Sequence, residues 1–195
     1  MRYDSEHKRR THERVVHEAS EAIRRHGPDG IGIAALMADA GLTHGGFYAH
    51  FKSKDALIAE SVVYMFDDRF AALQKDFDGV TPAEGLGRYI DRYLSVRHRD
   101  NREKGCPVAA LSADLARTPV SVRHRFEAGV ERLIDALTET LHAIGRPQPR
   151  ALAMSMLSEM AGAVAMARGV TDAALSEEIL DAARASVKRR AGLPA

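Results

Sequence analysis

The chain has 195 residues and a mass of 21.3 kDa, with 45% hydrophobic and 28% charged residues; these values sit near soluble globular averages and exclude disordered, collagen-like and low-complexity classes. Twenty-eight Lys+Arg against 27 Asp+Glu give a formal charge of +1, so whole-chain charge makes no case for nucleic acid and any such case must come from local motifs. One cysteine cannot close an internal disulfide, the N-terminus lacks an apolar run of signal-peptide length, and the apolar stretch 151–167 is interrupted by Ser155, Ser158 and Glu159; the expectation is a cytoplasmic protein with no membrane span.

The dominant period is helical. Val15, Val16, Ala19, Ala22 and Ile23 share one helix face, Leu86, Tyr89, Ile90, Tyr93 and Leu94 another, and Phe126 to Ile144 carry the stripe through five turns. No segment alternates over a strand length beside a hairpin signal. The pattern predicts an all-α protein of about nine helices, at 7–26, 33–40, 44–50, 53–78, 82–103, 106–117, 119–145, 149–168 and 172–190. Thr81-Pro82-Ala83-Glu84 reads as a capping box with proline at the first helical position. Thr118-Pro119 starts a helix in the same way, and Pro147 and Pro149 break the chain before the next.

The segment that carries chemistry lies at about 31–50. Two short helices are separated by Gly41-Leu42-Thr43, the spacing of a helix-turn-helix. Gly41 supplies a left-handed residue after the first helix, Thr43 a cap for the second, and Leu42 with Phe47 a hydrophobic staple. In such a unit the second helix enters the DNA major groove N-terminus first. That places Thr43, His44, Gly45 and Gly46 at the base edges and Tyr48 and His50 near phosphates, with Phe47 and Phe51 facing the core. Each glycine costs about 1 kcal/mol in a helix relative to alanine; close approach of backbone to DNA accounts for them, as does a frayed first turn. Ser53 caps the next helix and Lys54 begins it, where a cation opposes the helix dipole unless a phosphate sits there. Residues 1–54 hold nine Lys+Arg, seven Asp+Glu and six of the nine histidines. Arg2, Lys8, Arg9, Arg10 and Arg14 form a basic cluster that reads equally as a phosphate-reaching arm or a solvated terminus.

The run Ala40-Gly41-Leu42-Thr43-His44-Gly45-Gly46-Phe47-Tyr48-Ala49-His50-Phe51-Lys52-Ser53-Lys54-Asp55-Ala56-Leu57 resembles the signature of the tetracycline-repressor (TetR) family. The resemblance covers about 50 N-terminal residues. It implies an N-terminal three-helix DNA-binding domain (1–54), joined by helix 53–78 to a helical effector-binding and dimerisation domain (55–195), and a homodimeric, ligand-responsive repressor on a double-stranded operator. Ile33 departs from the Thr or Ser that the family often places there on a phosphate.

In the remainder, helix 149–168 is apolar nearly all round, which calls for burial on most faces. Leu157, Ala161, Gly162 and Ala165, with Ile179 on helix 172–190, are the expected dimer contacts in a two-fold four-helix interface. Cys106, in Gly105-Cys106-Pro107, sits at a helix N-cap, a position that lowers a thiol pKa. The segment 105–115 resembles one in a TetR branch in which some members use such a cysteine against electrophiles or oxidants. The other reading of a single cysteine is a small buried hydrophobe. Met65, Phe66, Tyr89, Tyr93, Phe126 and Met160, with Phe70 and Met156, are candidate lining for a small apolar or electrophilic effector. Arg92 and Arg168 are candidates for its anionic group, although nothing in the sequence selects them. No enzyme constellation is visible. His12 and His17 are five apart, so this is not HExxH, and no strand precedes Gly27, Gly30 and Gly32. No cofactor and no metal are expected. The rival reading is a helical ligand-binding or interaction protein whose helix-turn-helix serves only packing.

Overall fold

The computed structural model describes residues 2–194, and the side chains of 6–43 and 45–194. Among these the chain folds into nine α-helices and two 3₁₀ turns with no strand. The first unit is α1 (Arg2–His26), α2 (Ile33–Asp39) and a 3₁₀ turn (His44–Ala49), followed by α3 (Lys54–Asp76). Then come α4 (Pro82–Tyr93), α5 (Val96–Asp100), a second 3₁₀ turn (Arg102–Lys104), α6 (Pro107–Leu115), α7 (Val120–Ala143), α8 (Pro149–Gly169) and α9 (Ala173–Ala191). None of the helices is long and apolar enough to cross a membrane.

Helix ends follow local chemistry. The backbone N–H of Thr81 donates to the Glu84 carboxylate (3.0 Å) while the Glu84 N–H donates to Thr81 Oγ1 (3.3 Å), closing the expected capping box over Pro82. Asp172 accepts from the N–H groups of Ala174 and Leu175 and starts α9. A core runs through the whole chain: Val15, Ala19 and Ile23 of α1 pack with Leu57 and Val62 of α3, and Leu86 and Ile90 of α4 with Leu137 and Leu141 of α7. Helix α8 turns Ala153, Met156, Leu157, Met160 and Val164 inward. Full burial of each large apolar side chain stabilises by about 1.5–3 kcal/mol.

One expected helix is not continuous. The span 82–103 is three pieces, because Leu94 leaves helical geometry (ψ 48°) and Ser95 begins a new helix. The Ser95 hydroxyl donates to Arg92 O (2.8 Å) and accepts from the His98 N–H (3.1 Å). A serine that bonds its neighbours' backbone offers the chain an alternative to continuing the helix. The resulting loop, 94–106, is fastened by long arginines to distant helices. Arg24 of α1 donates to the Glu103 carbonyl, Arg168 of α8 to the carbonyls of His98 (2.8 Å) and Arg99 (2.9 Å), and Arg184 of α9 to that of Leu94 (2.7 Å).

Candidate nucleic-acid interface and effector cavity

The turn between α2 and the first 3₁₀ segment is built as the sequence reads. Gly41 has φ +70°, the left-handed region that favours glycine. Its N–H donates to Ala38 O (2.9 Å) and the Leu42 N–H to Met37 O (2.8 Å), the paired bonds of a Schellman stop. Phe47 is fully buried and Phe51 nearly so; their rings lie 5.5 Å apart, and His12 of α1 stacks on Phe51 at 4.5 Å. This aromatic cluster anchors the segment from beneath.

Two details differ from expectation. Residues 44–49 form a 3₁₀ turn and not an α-helix. Two adjacent glycines and a length of six residues give too little helical stabilisation to hold 3.6-residue winding. Thr43 occupies the cap position, but its side chain makes no capping bond. The Thr43 side chain is exposed, as are Gly45 and Tyr48, the latter 68% exposed. His44 opens the turn, and its side chain lies outside the described residues. A Cβ added at Gly45 would meet nothing within 4 Å, so the packing of this chain does not require glycine there. Gly46 would make only ordinary contacts, with Thr43 and Met37.

Ser53 caps α3 by accepting from the Ala56 N–H at 3.1 Å, and Lys54 is the first helical residue, as expected. Asp55 follows it and supplies one acid to the positive end of the helix dipole. His50 is partly buried, and burial lowers its pKa, helped by His12 and Lys8 nearby. Of the basic cluster on α1, Arg9 pairs with Glu13 and Arg10 with Glu6, both at 2.7 Å, while Lys8 and Arg14 are exposed; the Arg2 side chain is outside the described residues. Ile33 packs partly buried against the core, and Gly32 caps α2 without a side-chain bond.

This aromatic-anchored, exposed turn between α2 and α3 lies within residues 15–61, which match bacterial regulatory proteins of the tetR family, while residues 82–185 match the C-terminal domain of LmrA/YxaF-like transcriptional regulators, more than half of the chain. The chain belongs to the TetR family. Members of the TetR family are transcription regulators that bind DNA operators and act as dimers, and they are not enzymes. A curated relative is the HTH-type transcriptional repressor NemR of Escherichia coli K12, 26% identical over 148 residues, 72% of this chain and 71% of that one. A TetR-type regulator from Chloroflexus aurantiacus J-10-FL superposes with a TM-score of 0.80 at 25% identity, covering 97% of this chain and 98% of that one. Escherichia coli NemR in its reduced form gives 0.79 at 21% identity, covering 92% and 95%.

In the C-terminal half of this TetR-family chain, Cys106 is at the α6 N-cap with Pro107 at the first helical position, as the sequence indicates, and is 3% exposed. Its N–H donates to His98 Nε2 (2.9 Å), and His98 Nδ1 in turn donates to the Tyr93 carbonyl (2.6 Å). Burial lowers the His98 pKa to about 4, which keeps the ring neutral in this tautomer. Tyr89, Tyr93 and Cys106 enclose a void of about 10 Å³ with Arg69, Arg92 and His98, room for about one water. Burial pushes both phenols up, so they stay protonated.

The other candidate effector residues do not meet there. Met65, Phe66 and Met160 are buried core, and Phe126 packs its ring against Phe66 at 5.7 Å. Met156 is also core, and Phe70 lies under the Arg132 guanidinium at 3.9 Å. Arg92 forms a two-pronged pair with Asp76 of α3, while Arg168 directs Nε and Nη2 at the carbonyls of α5. Arg24 was not singled out by the sequence. It is 2% exposed, and burial, with Arg69 next in effect, lowers its pKa to about 10. Arg25 adds a 2.7 Å pair with the Glu103 carboxylate. These two arginines tie the DNA-binding half to the loop that precedes Cys106.

Of the expected dimer contacts, Gly162 and Ala165 are exposed and Ile179 partly buried. Leu157 (3%) and Ala161 (8%) are spent largely on their own chain, so Leu157 supports that surface only from behind. Exposed Met154, Met166 and Leu175 extend the same apolar face of α8 and α9.

Proposed function

We propose that the protein is a dimeric TetR-type repressor, with residues 1–54 reading a pseudo-palindromic operator and residues 55–195 sensing an effector and dimerising through α8 and α9. The reading rests on one observation above all: Gly45 is exposed beside buried Phe47 and no packing within the chain requires glycine there, which leaves a backbone face open to something outside the chain. Thr43, His44, Gly45 and Gly46 contact base edges in this reading; Tyr48, His50 and Lys54 contact phosphates. The two reading segments of the dimer sit about 34–36 Å apart, one DNA turn. Modification of Cys106, or a ligand beside it, displaces the loop 94–106. Arg24 and Arg25 pass that displacement to α1, and the spacing is lost. An effector acts only by its preference for the released state.

Electrophile or redox response through Cys106 is supported by its N-cap position and by the description of the relative NemR in a reduced form. Tight burial of the thiol argues that the reagent must be small or must open the void. The test is binding to DNA from upstream of the protein's own gene at fixed salt, with and without N-ethylmaleimide. Specific binding released in the native chain, and retained in Cys106→Ser, is the expected result. Release retained in Cys106→Ser ends the thiol reading. Absence of specific binding there and genome-wide ends the repressor reading in favour of a helical ligand-binding protein.

A further inference from the structure

Outside the thiol void lies a second, open cleft of about 280 Å³ between α3, α4 and the loop 94–106. Arg69, Arg92 and His98 line both spaces, so the two are continuous in their walls. Arg97 and Lys104 form the outer rim, and among the described residues no acidic side chain lines the cleft.

The donors here are only partly satisfied. Arg69 gives Nε and Nη2 to Asp68 (3.1 and 2.6 Å), and Arg92 gives the same two atoms to Asp76 (2.9 and 2.5 Å). Each carboxylate fixes one edge of its guanidinium, and Nη1 of each has no acceptor among the described residues. The same is true of Arg97, and Lys104 reaches Glu21 only at 3.9 Å. In the adjoining void, Tyr93 is 3% exposed and its hydroxyl has no hydrogen-bond partner among the described side chains. His98 cannot serve it, because both ring nitrogens are already engaged by backbone. The Cys106 sulfur lies beside that hydroxyl, but sulfur is a weak acceptor. A buried donor left without an acceptor costs about 1–3 kcal/mol. Water at the rim solvates Arg97 and Lys104, and the void has room for about one water beside the Tyr93 hydroxyl.

A wall whose charged side chains are all cations is the complement of an anion. We propose that this cleft binds a small organic anion, with its carboxylate or similar oxyanion against Arg69 and Arg92, where the cleft meets the void that Tyr93 lines, and its body in the outer cleft. Arg97 and Lys104 draw it in, and a cleft of about 280 Å³ has room for a body of a single ring. The inference deepens the effector reading and rests on it for regulatory meaning. Binding is measured without DNA, so its failure and that of the repressor reading are separable.

The test is titration calorimetry of the full chain at constant ionic strength with benzoate and phenylacetate, against benzamide and phenylacetamide as neutral isosteres. The acids are expected to bind at millimolar concentration or better, with the amides at least about tenfold weaker, a difference of about 1.4 kcal/mol. Arg97→Glu with Lys104→Glu, both exposed, should weaken the acids by about tenfold or more while leaving the melting temperature without ligand unchanged. Tyr93→Phe, which keeps the ring, should weaken them by about fivefold. Equal binding of acids and amides, undiminished acid binding in the charge-reversed variant, or no acid binding at millimolar concentration each overturns the proposal.

Discussion

Gly129→Ala probes the packing of α7 on α3. Gly129 lies in the middle of α7, where that helix crosses α3. A Cβ built there would stand 2.1, 2.3 and 2.4 Å from three ring atoms of Phe66. Phe66 is 3% exposed and backed edge-on by Phe126, so the ring cannot swing into solvent. Alanine gains up to about 1 kcal/mol of helix propensity over glycine. Separating α3 from α7 by the missing ångström costs about 1–3 kcal/mol as overpacking. With three ring atoms in conflict the upper end applies, and the net loss is about 1–2 kcal/mol. For a chain of this size that lowers the melting temperature by about 2–8 °C. Calorimetry at fixed protein concentration measures it, since dimerisation makes the midpoint concentration-dependent. Gly129→Ala combined with Phe66→Leu should recover about 1 kcal/mol relative to the sum of the single changes. A single variant that melts at or above the native temperature, or a strictly additive pair, refutes the steric account.

Three further expectations concern the sites. Gly45→Ala should leave stability unchanged or raised by up to about 1 kcal/mol, yet weaken operator binding about tenfold; undiminished affinity would show that DNA backbone does not approach there. Lys54→Ala should weaken all DNA sequences alike and lower the salt slope of log K by about one, and an unchanged slope removes its phosphate contact. His98 has a folded pKa of about 4, depressed by burial from 6.5. Its contribution is therefore whole above the unfolded value and is lost as pH falls from about 6.5 to 4, by up to about 3 kcal/mol. Urea unfolding across that range should show a shallower acid loss in His98→Gln than in the native chain; parallel curves contradict the assignment.

The helix-turn-helix was legible because its chemistry is local. Gly41, Ser53 and the Thr81–Glu84 box each act within a turn of themselves, and spacing alone finds them. The segment after Gly41 winds as a 3₁₀ turn where the spacing predicts a helix, since Gly45 and Gly46 weaken the helix without breaking the hydrophobic pattern. The break at Leu94–Ser95 was hidden inside a good amphipathic stripe. A serine after an apolar run was the one available sign. Arg24, beside Arg25 and His26, looks like a surface charge; its acceptor lies 79 residues away, and nothing nearby in sequence announces it. Aromatic spacing could not divide Tyr89 and Tyr93, at the void, from Phe66 and Phe126, in the core, because each lies on the apolar stripe of its own helix.

The anchoring of loop 94–106 bears on how such a protein can change over generations. Arg24, Arg168 and Arg184 all grip main-chain carbonyls, and a carbonyl is present whatever side chain its residue carries. Substitutions at Arg97, Asn101 or Lys104 can therefore rewrite what the cleft accepts while the three clamps keep the loop in register with α1, α8 and α9. Ligand preference is free to drift, and the linkage to the DNA-binding half is inherited intact.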